Sequence, residues 1–536
     1  VVERHSKRKI HNKRTATPES LHDKESDTSS SVEKPEHLEK GAEQLIASYS
    51  FLSEGMPINI RVVRKQDEFV PLYEVSISRI SANTQLILEK IRLELVDKVE
   101  LGLSEMTEVK QTDIVESKFT EAIKQLIDKY FPDANSDDKN FMTAYLIQRS
   151  LGMGNIEILM DDNQLEEVVV NSADEPAWVY HKKLGWLKTN VKLESEEQIK
   201  QYAAQIGRKV GRQISILNPL LDAHLANGDR ANCTLLPVSS RGNTITLRKF
   251  ASDPWTITSL LENNTVTPEV AALVWLAIQY ELSMLITGGT ASGKTSMLNV
   301  VASFIPPNQR VISIEDTREL QLPKFLHWIP LLTRLPNPEG KGEISMLDLL
   351  VNSLRMRPDR ILVGEIRRQR EAEVLFEAIH TGHSVYATVH ANSVSETITR
   401  LTSPPINTPK SMLPAISLLL VQYRNRRTGI RRTFQLAEIL PDASANILMQ
   451  LDVRKDVMNL VNKSISLVDT LQMFTGMSSK EIDADLEEKK IILNWLVKQQ
   501  VKTVDSVGRI MAEYYTAKDN LMKFVKANKN FFDGLK

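Results

Sequence analysis

GGTASGKTS, residues 288–296, follows the apolar run MLIT (284–287), and its reading decides the rest of the chain. An apolar strand that runs through small residues into Lys-Thr has the form Gly288-x-x-x-x-Gly293-Lys294-Thr295 of a phosphate-binding loop. With Gly288, Gly289, Thr290, Ala291, Ser292 and Gly293 in the loop, consecutive backbone N–H groups can curl around a β-phosphate that bulkier residues would hold off. A helix beginning at Gly293 adds the positive end of its dipole. Lys294 supplies a point charge for the β- and γ-phosphates, Thr295 offers a hydroxyl to Mg²⁺, and Ser296 completes the binding stretch. The expected ligand is a nucleotide phosphate chain with Mg²⁺.

The chain around this loop has 536 residues, enough for three or four domains. Apolar residues make up 42% and charged residues 25%, the composition of an ordinary globular protein. The 67 basic residues balance the 68 acidic ones, so the basic excess of a dedicated nucleic-acid binder is missing and no nucleic-acid partner is expected. One cysteine, Cys233, excludes an intramolecular disulfide framework and any multi-cysteine zinc site. The longest apolar runs, such as 271–278 and 412–421, are too short to span a bilayer. These features together point to a cytoplasmic location.

Composition and periodicity divide the chain. Residues 1–42 are polar and rich in Ser, Thr, Glu, Lys and Pro, which predicts a disordered tail. Residues 43–150 predict a small mixed domain, with strands at 58–63 and 71–78 and helices at 84–99 and 116–131. A second mixed domain is expected over 151–250, with IEILMDD, QLEEVVVNS and WVYHKKLGWLKT as short strands and a helix at 195–210. Residues 251–258 have the breakers of a linker. Over 259–440 apolar strands alternate with helices, which argues for a mainly parallel sheet covered on both faces. Residues 441–536 are nearly all helical in pattern.

Carboxylates at the carboxyl ends of parallel strands are placed to meet a ligand. VISIEDTREL (311–320) puts Glu315 and Asp316 there, and a carboxylate at that edge can orient or deprotonate an attacking water. By itself such a residue is more often a turn or cap. RILVGE (360–365) ends in Glu365, which would hold Mg²⁺ through water or polarise the nucleophile, whereas Asp359 precedes the strand and suits a structural role. His380, His383 and His390 lie in IHTGHSVYATVHA (379–391). Gly382 interrupts the helix, and no carboxylate or cysteine completes a metal site. His383 and His390 read as neutral hydrogen-bonding groups near a γ-phosphate or at a subunit interface.

GGTASGKT, SIEDTREL, LRMRPDRILVGEIR and HTGHSVYATVHA stand in the order of the four signatures of the traffic ATPases of type II and type IV secretion, type IV pili and archaella. The chain resembles that superfamily, and HWIPLLTR (327–334) and residues 474–496 look most like its archaeal branch. The resemblance implies an α/β fold. A RecA-like P-loop ATPase core would be preceded by an α+β (PAS-like) nucleotide-clamping domain and an N-terminal mixed domain, and followed by a C-terminal helical extension. It implies that Arg230 and Arg248, with Arg212 a weaker candidate, face the nucleotide phosphates, and that Glu315, Glu365 and His390 serve catalysis. It implies a homohexamer, peripheral on the inner face of the cytoplasmic membrane, that hydrolyses ATP to act on a polytopic membrane platform protein. Filament assembly or secretion would be the output, with DNA translocation or filament retraction as alternatives. Bacterial members often carry a four-cysteine metal arm that this chain lacks, so no zinc is expected. Lys490 stands where the C-terminal pattern would have arginine.

Overall fold

The computed structural model describes residues 43–77, 81–98, 112–150, 152–250, 254–336 and 340–535. The predicted tail, 1–42, lies outside the described residues. Two nine-stranded sheets organise the rest, one before the breakers at 251–255 and one after them.

The first sheet uses β1 (Gln44–Ser53), β2 (Met56–Arg64), β3 (Leu72–Ile77), β4 (Leu165–Val170), β5 (Trp178–His181), β6 (Gly185–Thr189), β7 (Leu220–His224), β8 (Arg230–Thr234) and β9 (Thr244–Arg248). Helices α1 (Ala82–Lys98), α2 (Thr112–Tyr130), α3 (Ser136–Ser150), α4 (Asn155–Asp161) and α5 (Glu196–Lys209) accompany it. The strand order is β1-β2-β3-β6-β5-β4-β9-β8-β7. Alternation along β2 sends Met56, Ile58, Ile60 and Val62 into a core that continues without a break to Leu247.

That continuity corrects the expected division at residue 150, since neither sheet nor core stops there. β3 joins β6 in parallel through Leu72↔Lys188 and Tyr73↔Thr189. Asn190 extends this short seam, its carboxamide accepting from the Val75 N–H at 2.9 Å and donating to the Val75 carbonyl at 3.0 Å. Tyr49 and Tyr73 both donate to buried Asp162. A second correction concerns IEILMDD, which forms α4 and not a strand. Ile156 and Leu159, three apart, bury together on one helical face, and a short apolar run does not by its periodicity distinguish the two states.

The second sheet contains β10 (Met284–Gly288), β11 (Arg310–Glu315), β12 (His327–Leu332), β13 (Arg360–Val363), β14 (Ser384–Val389), β15 (Leu418–Arg424), β16 (Arg431–Ile439), β17 (Ala445–Asp452) and β18 (Val457–Leu460). Its order is β12-β11-β13-β14-β10-β15-β16-β17-β18, parallel from β12 to β15 and antiparallel beyond. Helices α6 (Ile257–Glu262), α7 (Pro268–Gln279), α8 (Lys294–Ala302), α9 (Met346–Ser353), α10 (Gln369–His380) and α11 (Val394–Thr402) belong to this half. The parallel strands are apolar throughout because both faces are covered: Met284 and Ile286 enter one core, Leu285 the other. The linker is shorter than expected, since Thr256 already caps α6 and residues 251–253 lie outside the described residues.

The final stretch is also corrected. β17 and β18 extend the sheet before α12 (Ser466–Thr475), α13 (Ser479–Lys498), α14 (Val504–Thr516) and α15 (Lys518–Ala527) begin. These helices share the core beneath β10 and α8: Trp275 on α7 donates to the Tyr515 hydroxyl at 2.9 Å, which donates to the Phe304 carbonyl at 2.7 Å. Lys490, where arginine was expected, pairs on the surface of α13 with Glu487. Among the described residues no helix is long and apolar enough to cross a membrane.

Candidate nucleotide site

β10 lies between β14 and β15, so the loop after Gly288 opens at the carboxyl edge of the parallel strands. Two close approaches explain its glycines. A Cβ on Gly288 would meet the Gln422 carbonyl oxygen at 2.6 Å, and one on Gly289 would meet Asn392 Oδ1 at 2.6 Å. Gly293, at φ 93°, sits left-handed before α8 with no side-chain cap, which leaves the first N–H groups of that helix for a ligand. Within the loop, Ser292 Oγ and Lys294 Nζ donate to the Gly289 carbonyl at 2.9 and 3.1 Å. Burial lowers the Lys294 pKa, while Glu365 and Glu319 favour its charged form. Thr290 Oγ1 and His390 Nε2 lie 3.2 Å apart, which places His390, just after β14, against the loop.

The acidic stretch divides unlike the expectation. Glu315 is 2% exposed, and its Oε1 accepts the N–H groups of Glu319 and Leu320 at 2.9 and 3.0 Å. Its Oε2 is buried without a partner, and burial pushes the carboxyl up to about 7 against the pull of those two N–H groups. Glu319 is exposed and lines the cleft with Lys294 and Thr295. Asp316 Oδ1 accepts from Thr333 Oγ1, and its Oδ2 accepts from Arg367 at 2.8 Å. The same guanidinium donates twice to Glu365 Oε2, at 3.0 and 2.7 Å, so Arg367 ties the two acidic motifs together.

The facing wall comes from the first sheet. Antiparallel register sets His224 opposite Arg230, Arg230 opposite Arg248, and Arg248 opposite Glu167. Directly opposed residues share a face, so the two arginines stand side by side. Both line the cleft, and Asp222 holds the Arg230 fork with bonds of 3.0 and 2.7 Å. His224 Nε2 reaches Thr317 Oγ1 at 2.9 Å, directly joining this sheet to the acidic loop. The Arg318 guanidinium lies over the rings of both Phe250 and Trp328, 5.9 and 5.6 Å from their centroids. The space between the walls is about 1240 Å³.

Several candidates fall elsewhere. Arg212 donates to the carbonyls of Asp222 and Leu335, a backbone brace outside the cleft lining. His380 and His383 donate from Nδ1 to the carbonyls of Phe376 and Ala378, closing the end of α10 at the opposite edge of the sheet from the loop. Asp359 accepts from the Arg310 N–H at 2.6 Å, the structural role expected of it. Sequence reasoning missed Arg431, whose Nε donates to the Ala291 carbonyl at 2.9 Å, along with Arg367 and Glu319. Arg431 lies some 140 residues beyond the loop in a charged hairpin, with no local signal. Glu319 had one, since it stands four residues past a strand-end carboxylate in the same stretch.

Residues 153–424 match the type II/IV secretion system protein family, a span that includes the 288–296 loop, Glu319 and both paired arginines. The chain belongs to that family. An uncharacterised relative from Methanocaldococcus jannaschii is 34% identical over 393 residues, covering 71% of this chain and 69% of the relative. The type IV secretion system protein PtlH of Bordetella pertussis is 30% identical over 301 residues, covering 50% of this chain and 88% of PtlH. Among solved structures, the Legionella pneumophila ATPase DotB overlaps 67% of this chain and 94% of its own, at 18% identity and a TM-score of 0.41. That overlap is loose, and family membership rests on the sequence matches.

Proposed function

We propose that this protein is an ATPase that converts hydrolysis into movement of the first sheet against the second. The observation that carries the reading is one cleft with a phosphate-binding loop on one wall and paired arginines on the other. The 288–296 loop and the first turn of α8 would hold the β- and γ-phosphates through main-chain N–H groups, with Lys294 leaving the Gly289 carbonyl for the phosphate. Thr295 and Glu365 would hold Mg²⁺, which when bound would supply positive charge to offset the negative charge developing on the β- and γ-phosphates. Glu319 is the better-placed general base: it reaches the cleft, whereas Glu315 is spent on backbone N–H groups. Arg230 and Arg248 would neutralise charge developing on the γ-phosphoryl group; such arginines are worth about 10³–10⁵ in rate in comparable hydrolases. His390 would sense the terminal phosphate through Thr290.

The working unit would be a homohexamer on the inner face of the cytoplasmic membrane. It would act on a polytopic platform protein to assemble a type IV pilus-like or archaellum filament or to drive secretion. Family membership supports the secretion context.

The test is nucleotide binding and phosphate release side by side. Lys294→Ala is expected to lose ATP binding, and Glu319→Gln to bind ATP but turn over at least about 100-fold more slowly, as for loss of a general base. Arg230→Ala and Arg248→Ala should lower turnover with little change in ATP affinity. Wild-type turnover in both arginine variants would remove the two-walled reading. Sedimentation with and without nucleotide would measure the oligomer.

A further inference from the structure

Glu319 sits in irregular chain between β11 and β12, where neither helix nor strand bonds fix its backbone. Its immediate tethers are side chains. Glu315 Oε1 holds the N–H groups of Glu319 and Leu320, and Asn299 Oδ1 holds the N–H of Gln321 at 2.7 Å. Both holders are almost fully buried, at 2% and 6% exposure. Glu315 closes a core strand, and Asn299 is on α8, the helix that begins with Lys294. The carboxylate and the lysine are therefore referenced to the same rigid helix.

We propose that Glu315 and Asn299 are positioning residues that set the Glu319 carboxylate at its distance from the phosphate-binding loop. A buried carboxyl with one oxygen left unpartnered is costly to keep, and it is placed where its other oxygen holds two consecutive residues, Glu319 and Leu320, with Asn299 holding the next. Misplacing a reacting group by about 1 Å can cost about 100-fold in rate without altering ground-state binding. The inference rests on Glu319 being the base.

Steady-state ATPase assays and nucleotide affinity, on the full chain and below each variant's melting temperature, test it. Glu315→Ala and Asn299→Ala are expected to lower kcat at least tenfold, with KM and nucleotide Kd within about threefold of wild type. Glu315→Gln retains an acceptor oxygen for both N–H groups and is expected to recover to within about threefold of wild-type kcat. The inference is overturned if both alanine variants turn over normally, if Glu315→Gln is as slow as Glu315→Ala, or if affinity falls in step with kcat. Glu319→Gln, run beside them, separates the two readings. Wild-type turnover there removes the base assignment and this inference with it; a slow Glu319→Gln with a normal Glu315→Ala removes this inference alone.

Discussion

Glu315 is the side chain whose environment has the clearest thermodynamic consequence. Its native carboxyl, raised from 4.5 to about 7, keeps a proton that the unfolded chain has already released. Stability from this group therefore falls as pH rises between those values, and the penalty persists above them. Glu315→Gln removes the penalty, so its melting temperature should exceed wild type at pH 8 and match it near pH 4.5. The gain at pH 8 should be on the order of 1–3 kcal/mol. Thermal unfolding at the two pH values checks this, and an equal shift at both would assign the effect to packing. Asp222 makes a second residue-scale case: it holds the Arg230 guanidinium by both ends. Asp222→Asn should lower turnover less than Arg230→Ala does, because the charge remains while its bidentate orientation is lost. Single-turnover rates would rank the two.

Among elements, β11, β14 and the loop between β10 and α8 follow the sequence closely, because a buried parallel strand is an apolar run bounded by turn residues. The strand-to-loop switch at Gly288 also predicts a mutational result. Gly288→Ala would drive a methyl into the Gln422 carbonyl, displacing β10 from β15, and should weaken nucleotide binding as well as stability; isothermal titration and melting measure both. α14 gives the corresponding helix test. Gly508 packs on Pro323, whose Cβ would lie 2.7 Å from an added methyl, and the proline ring cannot swing aside. Gly508→Ala should cost about 1–3 kcal/mol in denaturant unfolding. α4 and the β17–β18 hairpin were not legible. Short apolar runs suit helix and strand alike, and pairing partners, not local pattern, decided their state.

Across the whole molecule, β1–β3 join the rest of the first sheet through two parallel residue pairs, the Asn190 carboxamide and the hydroxyls on Asp162, over a shared apolar core. Asn190→Ala should raise amide exchange in residues 72–77 while leaving ATP affinity unchanged. Unaltered exchange there would mean that the shared core, and not the seam, holds this part in place.

The strand, loop and helix over 284–302, the parallel strands and the order of the acidic and histidine motifs could be read from the chain alone, because a local pattern of a few residues marks each. Which carboxylate reaches the cleft, that Arg431 meets the loop, and that the described residues of 43–250 share one core were decided only in three dimensions. Those outcomes depend on strand register and on contacts between residues far apart in sequence, where one position along a strand reverses the face a side chain occupies.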